Sequence, residues 1–182
     1  MRRLSDGVEA ALHCALALAG LPQGKLLPGQ SLAELHGVSV SYLLKHLRAL
    51  ASAGVIDALP GPRGGYRLSR EPERITLLDI VEAIDGHESA FVCRELRRRG
   101  PGKSKNPCVY KTDCFIKTRM ITAEEAWREA LRAQRLSDLV QDAKRMIGEH
   151  NKRAIADFLR GRQRGPSLDG PRSSCRARST KP

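Results

Sequence analysis

Five cysteines stand among 182 residues. Three of them, Cys93, Cys108 and Cys114, fall in one stretch rich in Gly and Lys. Thiolates are the usual iron–sulfur ligands, so this grouping points to a metal or redox group. In a reducing compartment such a reading comes before a disulfide framework. Near the N-terminus Glu9 and His13 stand four residues apart. Positions i and i+4 share a helix face, and two side chains so placed can meet one metal. On spacing alone, a surface Glu–His contact is the plainer account of that pair.

The five residues between Cys108 and Cys114 let a loop bring both sulfurs to one iron. Zinc is the main rival, although the C-x2-C knuckle is absent. A metal-free thiol switch is another reading, with Lys103, Lys105 and Lys111 close enough in sequence to favour thiolate. Cys93 is either a third ligand or a spare thiol. Cys14 interrupts an apolar run and reads as a small core residue. Cys175 lies in the C-terminal tail and is a poor ligand candidate.

The elements that must position these groups follow from periodicity. Val8, Ala11, Leu12, Ala15, Leu16 and Ala19 recur at helical spacing, which predicts a first helix over residues 5–20 ended by Pro22 and Gly24. Ser31 is the expected N-cap of a short second helix. Gly37-Val-Ser39 is a tight turn, and a third helix runs from Val40 to Ser52 with Leu43 and Leu47 facing inward. Helix, Gly turn, helix is the helix-turn-helix pattern. Val55–Leu59 and Tyr66–Leu68 read as strands around Pro60-Gly-Pro-Arg-Gly-Gly65, a hairpin in the position of a wing. The Gly64-Gly65 pair permits positive φ there.

On the outward face of the third helix stand Ser39, Ser41, Tyr42, Lys45 and His46, with Arg48 near its end. These are the candidate DNA contacts, with the basic groups suited to phosphates. Arg63, near the wing tip, suits a narrow minor groove. A fourth helix follows Thr76. The stretch from Phe115 predicts a long helix, and a further helix starts at Ser137 and continues through Phe158. Their apolar surface exceeds what a winged helix can cover, which predicts dimerisation through the long helix and suits a palindromic operator in double-stranded DNA.

Net charge is +12, but most of it is local. Residues 101–120 contribute +4 and residues 161–182 contribute +5. Charge alone is therefore weak evidence for DNA binding. The tail from Gly161 to Pro182, poor in apolar residues, reads as disordered. The apolar stretch Ala10–Leu21 is too short to span a bilayer and no secretory pattern precedes it, so the expectation is a cytoplasmic protein without membrane partners. No phosphate loop of the Gly-x4-Gly-Lys-Ser/Thr type occurs, and His36, His46, His87 and His150 show no spacing to a nucleophile. Nothing points to catalysis.

Three segments together resemble the Rrf2 family of bacterial transcription regulators. They are Leu32-Ala-Glu-Leu-His-Gly-Val-Ser-Val-Ser-Tyr-Leu43, Gly61-Pro-Arg-Gly-Gly-Tyr-Arg-Leu68 and Ile75-Thr-Leu-Leu-Asp-Ile-Val-Glu-Ala-Ile-Asp-Gly86. The resemblance implies a mainly α fold with a small β-hairpin, a winged helix-turn-helix homodimer with a long dimerisation helix, and in many members an iron–sulfur cluster. Gly7-Val-Glu-Ala-Ala-Leu-His-Cys14, Phe91-Val-Cys93 and Arg97-Arg-Arg-Gly-Pro101 are similar to redox-responsive members. Those use a [2Fe-2S] cluster held by two cysteines of one subunit and a Glu/His pair of the other. Carried over, the resemblance implies Glu9, His13, Cys108 and Cys114 as ligands, with Cys93 ranked below them. The chain departs from other cluster-binding members in the long gap from Cys93 to Cys108 and in Lys117, where some carry a His. Ala10 stands where a Trp is found in the redox-responsive type. The expected organisation is a DNA-binding domain over 1–86, a cluster loop over 87–114, a helical dimerisation region over 115–160 and a basic tail over 161–182. The expected function is a repressor that senses redox or iron–sulfur status.

Overall fold

The computed structural model describes residues 3–165. Helix α1 (Asp6–Ala19) buries Val8, Ala11, Cys14, Ala15 and Leu18, the i, i+3, i+4 stripe of an amphipathic helix. Helices α2 (Gly29–His36) and α3 (Val40–Ser52) are joined at Gly37, whose φ of 64° and ψ of 30° end α2 in the left-handed conformation that glycine adopts without a Cβ penalty. The Ser39 hydroxyl caps α3 by accepting from the Tyr42 backbone N–H. Leu43, Leu47 and Leu50 face the core. Helix α2 begins two residues before Ser31, after Pro28, and Ser31 is buried inside it rather than capping it. Proline's fixed φ has set the helix start there.

Strands β1 (Ile56–Leu59) and β2 (Gly65–Leu68) pair antiparallel, Ile56 opposite Leu68 and Leu59 opposite Gly65. The hairpin's glycines serve close approach and not positive φ. A Cβ on Gly64 would lie 2.1 Å from the Leu59 carbonyl oxygen, and one on Gly65 2.7 Å from that of Leu27. Positive φ falls instead on Gly61, at 103°. Leu27 and Tyr66 exchange two backbone hydrogen bonds of 2.9 Å, which ties the wing to the segment entering α2.

Helix α4 (Leu77–Asp85) opens with a reciprocal capping box between Thr76 and Asp79. Arg70 reinforces that corner, pairing with Asp79 at 3.1 Å and donating to the carbonyls of Gly54 and Arg74. A long irregular segment then leads to α5 (Phe115–Ala133), none of whose residues is buried. Helices α6 (Leu136–Met146) and α7 (Glu149–Arg162) break at Ile147-Gly148, where a single helix from Ser137 to Phe158 was expected.

These last helices return to the first domain. Leu136 and Leu159 join Ala11, Ala15, Leu32, Leu43, Leu47, Val55, Ile75 and Ile80 in one core. The predicted start of the tail at Gly161 lies inside α7, and Arg164 exchanges two backbone hydrogen bonds with Leu26. The rest of that tail, with Cys175, lies outside the described residues. Among the described residues no helix is long and apolar enough to cross a membrane.

The Thr76 hydroxyl is the acceptor for one otherwise unpaired N–H of α4, so Thr76→Ala should cost about 1 kcal/mol. Urea unfolding at fixed protein concentration checks this, and Thr76→Ser should retain most of the stability.

Candidate functional site

The outward face of α3 presents Ser41, Tyr42, Lys45 and Arg48, all exposed, with Ser39 exposed at its start. Ser39 and Ser41 bring their hydroxyls to 3.4 Å. Arg63 is exposed at the bend of the wing. Seven groups were expected to form this surface, and six are on it.

His46 is the exception. It is only 8% exposed and points into the domain against α1. A Cβ on Gly7 would sit 2.3 Å from His46 Cε1, so the imidazole fills the notch that glycine leaves. The Tyr42 ring meets it edge-on at 4.7 Å between centroids. Its Nε2 has no hydrogen-bond partner among the described residues. Burial first, and then the charge of Lys45, hold its pKa below the ordinary histidine value. His46 is thus a packing residue between α1 and the recognition helix. The sequence suggested otherwise because a polar side chain on a helix face is more often solvated than seated in a glycine notch.

Glu9 and His13 are both exposed on α1, one turn apart. They border a groove of about 550 Å3 between α1 and α6, lined also by Leu12, Leu16, Leu139 and Met146. The His13 ring lies 5.5 Å from that of His36, at the end of α2. His36 Nε2 is buried without a partner among the described residues, and burial followed by the charge of His13 holds this pKa low. One end of α1 therefore touches α3 through Gly7, and its middle touches α2 through His13.

The cysteine segment closes on itself. Two single-turn 3-10 helices, Leu96–Arg98 and Pro107–Tyr110, are joined by the Tyr110 hydroxyl, which donates to the Arg97 carbonyl and accepts from the Ser104 N–H. Arg97 donates to the carbonyls of Val109 and Thr112, and Arg98 to that of Tyr110. Both guanidiniums lie over the Tyr110 ring, at 5.6 and 5.1 Å from its centroid.

Cys114 is the N-cap residue of α5 and is 6% exposed. The backbone N–H groups of Lys117 and Ile116, the Cys93 thiol and the Arg97 charge together hold its pKa below the ordinary thiol value, against the opposing effect of burial. Cys93 is half-buried beside it, with Sγ 3.8 Å from Glu95 Oε1. Cys108 is exposed, its backbone N–H donating to Asn106 Oδ1. Cys14, by contrast, is fully buried in the core and pushed up to about 12.

The charge beside the thiols comes from Arg97 and not from the three lysines. Sequence reading had used Arg97 only as part of a resemblance. A run of arginines closely following a cysteine was the available signal. The donor set suits an iron–sulfur group: a favoured thiolate, an exposed thiol, and an accessible carboxylate and imidazole at one-turn spacing. A single subunit does not gather them. Among the described residues no three of His, Cys, Asp and Glu meet closely enough to hold a metal ion.

A helix-turn-helix, a wing packed beside it and a basic, hydroxyl-bearing outer helix face define a winged-helix regulator. The family model described as "Rrf2: Iron-dependent Transcriptional regulator" matches residues 4–142, and the chain belongs to the Rrf2 family of transcriptional regulators. It is 29% identical over 138 residues to the putative regulator YwgB of Bacillus subtilis, covering 76% of this chain and 84% of that one. To the regulator NsrR of Shouchella clausii it is 26% identical over 156 residues, covering 86% and 96%. Among solved structures, CymR, described as the global cysteine regulator of B. subtilis, superposes with a TM-score of 0.56 at 26% identity, covering 78% and 98%. IscR of T. potens gives 0.58 at 21% identity, covering 83% and 96%, and so shares the fold. These relatives are regulators and not enzymes.

Gly7→Ala should drive a methyl into the imidazole and cost about 1–3 kcal/mol. The double variant Gly7→Ala with His46→Ala should recover part of that loss. A denaturant series on the single and double variants checks the coupling, and additive losses would remove the notch from the account.

Proposed function

We propose that this regulator is a cytoplasmic homodimeric repressor that binds double-stranded operator DNA through α3 and the wing and holds a [2Fe-2S] cluster between subunits. Cys108 and Cys114 of one subunit and Glu9 and His13 of the other would hold it, with Cys93 the remaining candidate. The observation that carries the reading is the division of the donors. The thiols lie at the start of α5, the Glu/His pair lies on α1, and no three such donors meet within one chain.

Two further features support it. Phe115, Ile116, Met120 and Ile121 are exposed on the first turns of α5 beside the cysteines, an apolar surface of the kind a second subunit covers. The matching family model is described as iron-dependent.

When bound, such a cluster supplies one-electron chemistry, and nitrogen or oxygen donors on one iron raise its potential. Everything else falls to the chain. Glu9 and His13 are on the helix that seats His46 of α3 and meets His36 of α2. A shift of α1 imposed through its two outward side chains is passed to both helices of the DNA-binding unit, because close-packed contacts shift as units. Lys45, Arg48 and Arg63 then lose or gain their common alignment on the phosphates.

A second reading keeps the fold and the operator but makes the sensor a cluster-free thiol site. The contact between Cys93 and Cys114 favours it.

Purification under anaerobic conditions, with an absorption spectrum and iron and sulfide analysis, separates the two. The cluster reading expects a coloured protein with two irons and two sulfides per site. Glu9→Ala and His13→Ala should each alter the spectrum and speed cluster loss. An unchanged spectrum in both would remove them from the ligand set, and a colourless, iron-free protein would favour the thiol reading. Operator affinity that is equal for oxidised, reduced and iron-free protein would overturn the coupling.

A further inference from the structure

Cys93 has no assigned work in the proposed ligand set, yet much of its surroundings serves to place it. Glu95, two residues on, adopts φ 51° and ψ 44°, and it is the one non-glycine residue with positive φ among those described. Such a conformation costs a side-chain-bearing residue and persists where its surroundings impose it. Here Arg97 and Arg98 both pair with the Glu95 carboxylate, at 2.9 and 3.2 Å. Arg97 is in turn anchored to the carbonyls of Val109 and Thr112. The clamp turns the chain back on itself, so that Cys93 lies beside Cys114 at the start of α5 and Arg97 lies beside both sulfurs. The third loop cysteine, Cys108, is exposed and contributes to neither contact.

We infer that Cys93 and Cys114 are a dithiol pair that peroxides oxidise to an intrachain disulfide. The more open Cys93 reacts first. Its sulfur attacks a peroxide oxygen, the S–O bond forms as the O–O bond breaks, and the thiol proton goes to the departing oxygen, released as water or an alcohol. The Cys114 sulfur then attacks that of Cys93. The S–S bond forms, the S–O bond breaks, and the hydroxide leaves with the Cys114 proton as water. Two thiols lose two electrons and one peroxide gains them. The product occupies Cys114, so disulfide formation and ligation by Cys114 exclude one another. Arg97 is a positioning residue in this step, because it holds the two arms of the loop together without taking or giving a proton.

The full-length protein, both as isolated anaerobically and after iron is removed with a chelator, is treated with hydrogen peroxide and then alkylated. Intact mass and peptide mapping are the readouts. The expected result for the iron-free form is loss of two hydrogens per chain, a Cys93–Cys114 linked peptide and full reversal by dithiothreitol. Cys93→Ser should abolish the link and Cys108→Ser should leave it. Arg97→Ala, which removes the clamp but neither sulfur, should slow its formation about tenfold, the effect of losing one or two charge-assisted hydrogen bonds. A link through Cys108, a link between chains, or oxidation confined to Cys108 would overturn the assignment. The outcome is separable from that for the cluster. A protein iron-free from the outset that forms the link fails only the cluster reading. A protein that binds iron and sulfide but forms no link once stripped fails only this one.

Discussion

The close seating of α1 on the rest of the domain is the constraint from which the other features follow. Its inner face is built from Ala11, Cys14 and Ala15, all fully buried, with Val8 and Leu18 at the edges. Small side chains let helix axes approach, and α1 packs against α2, α3, α4, α6 and the wing strand β2. A helix with so many neighbours cannot move alone. At Gly7 the approach is closest, since even a methyl would collide with His46. Glu9 and His13 leave the same helix on its outer side, so the element with least freedom inside the domain also carries the chemistry outside it. A signal received there reaches α2 and α3 without any intervening loop.

The cysteine segment is organised by a different force. It contributes only Cys114 to the buried residues, and hydrophobic packing cannot hold it. Arginine takes that part. Arg97 and Arg98 bridge Glu95, three backbone carbonyls and the Tyr110 ring, using the fixed fork of the guanidinium in a way that lysine could not. Much of the local charge is therefore structural. The same logic joins the C-terminal helices to the domain, where Arg162 pairs with Glu34 across the end of α2 and Arg164 donates to the Pro62 carbonyl in the wing.

The apolar periodicities made much of the fold legible. The stripe from Val8 to Ala19, the inward Leu43 and Leu47 and the Thr76 cap all correspond to observed features, because each rests on contacts within one turn of chain. The misreadings involve interactions that local pattern does not carry. His46 was misplaced because its notch is made by a glycine thirty-nine positions away. The helix from Ser137 was carried through Phe158 because nothing in its periodicity announces that Ile147-Gly148 breaks it. The return of α6 and α7 to the core was missed because long-range burial, with Leu136 and Leu159 as its contacts, decides it. For the candidate site, residue types and the i, i+4 pair were readable, whereas the relation of Cys93 to Cys114 depends on a turn at Glu95 that no propensity favours.

That turn bears on how the two thiol chemistries can share one loop. Cys114 stands at a helix N-terminus, where partial positive charge and unpaired N–H groups favour a thiolate whatever it next binds. The same preference makes it a good metal ligand and a good partner for a sulfenic acid, so chemistry alone does not choose between them. Position does. Cys108, on the opposite arm, is exposed and can meet a metal presented from outside the subunit, while Cys93 is already beside Cys114 within it. Docking of a second subunit's α1 would supply the external donors and draw Cys114 toward Cys108. In their absence the Arg97 clamp leaves Cys93 as its nearest sulfur. The loop is therefore arranged so that the state of the dimer interface, and not the intrinsic reactivity of Cys114, selects its partner.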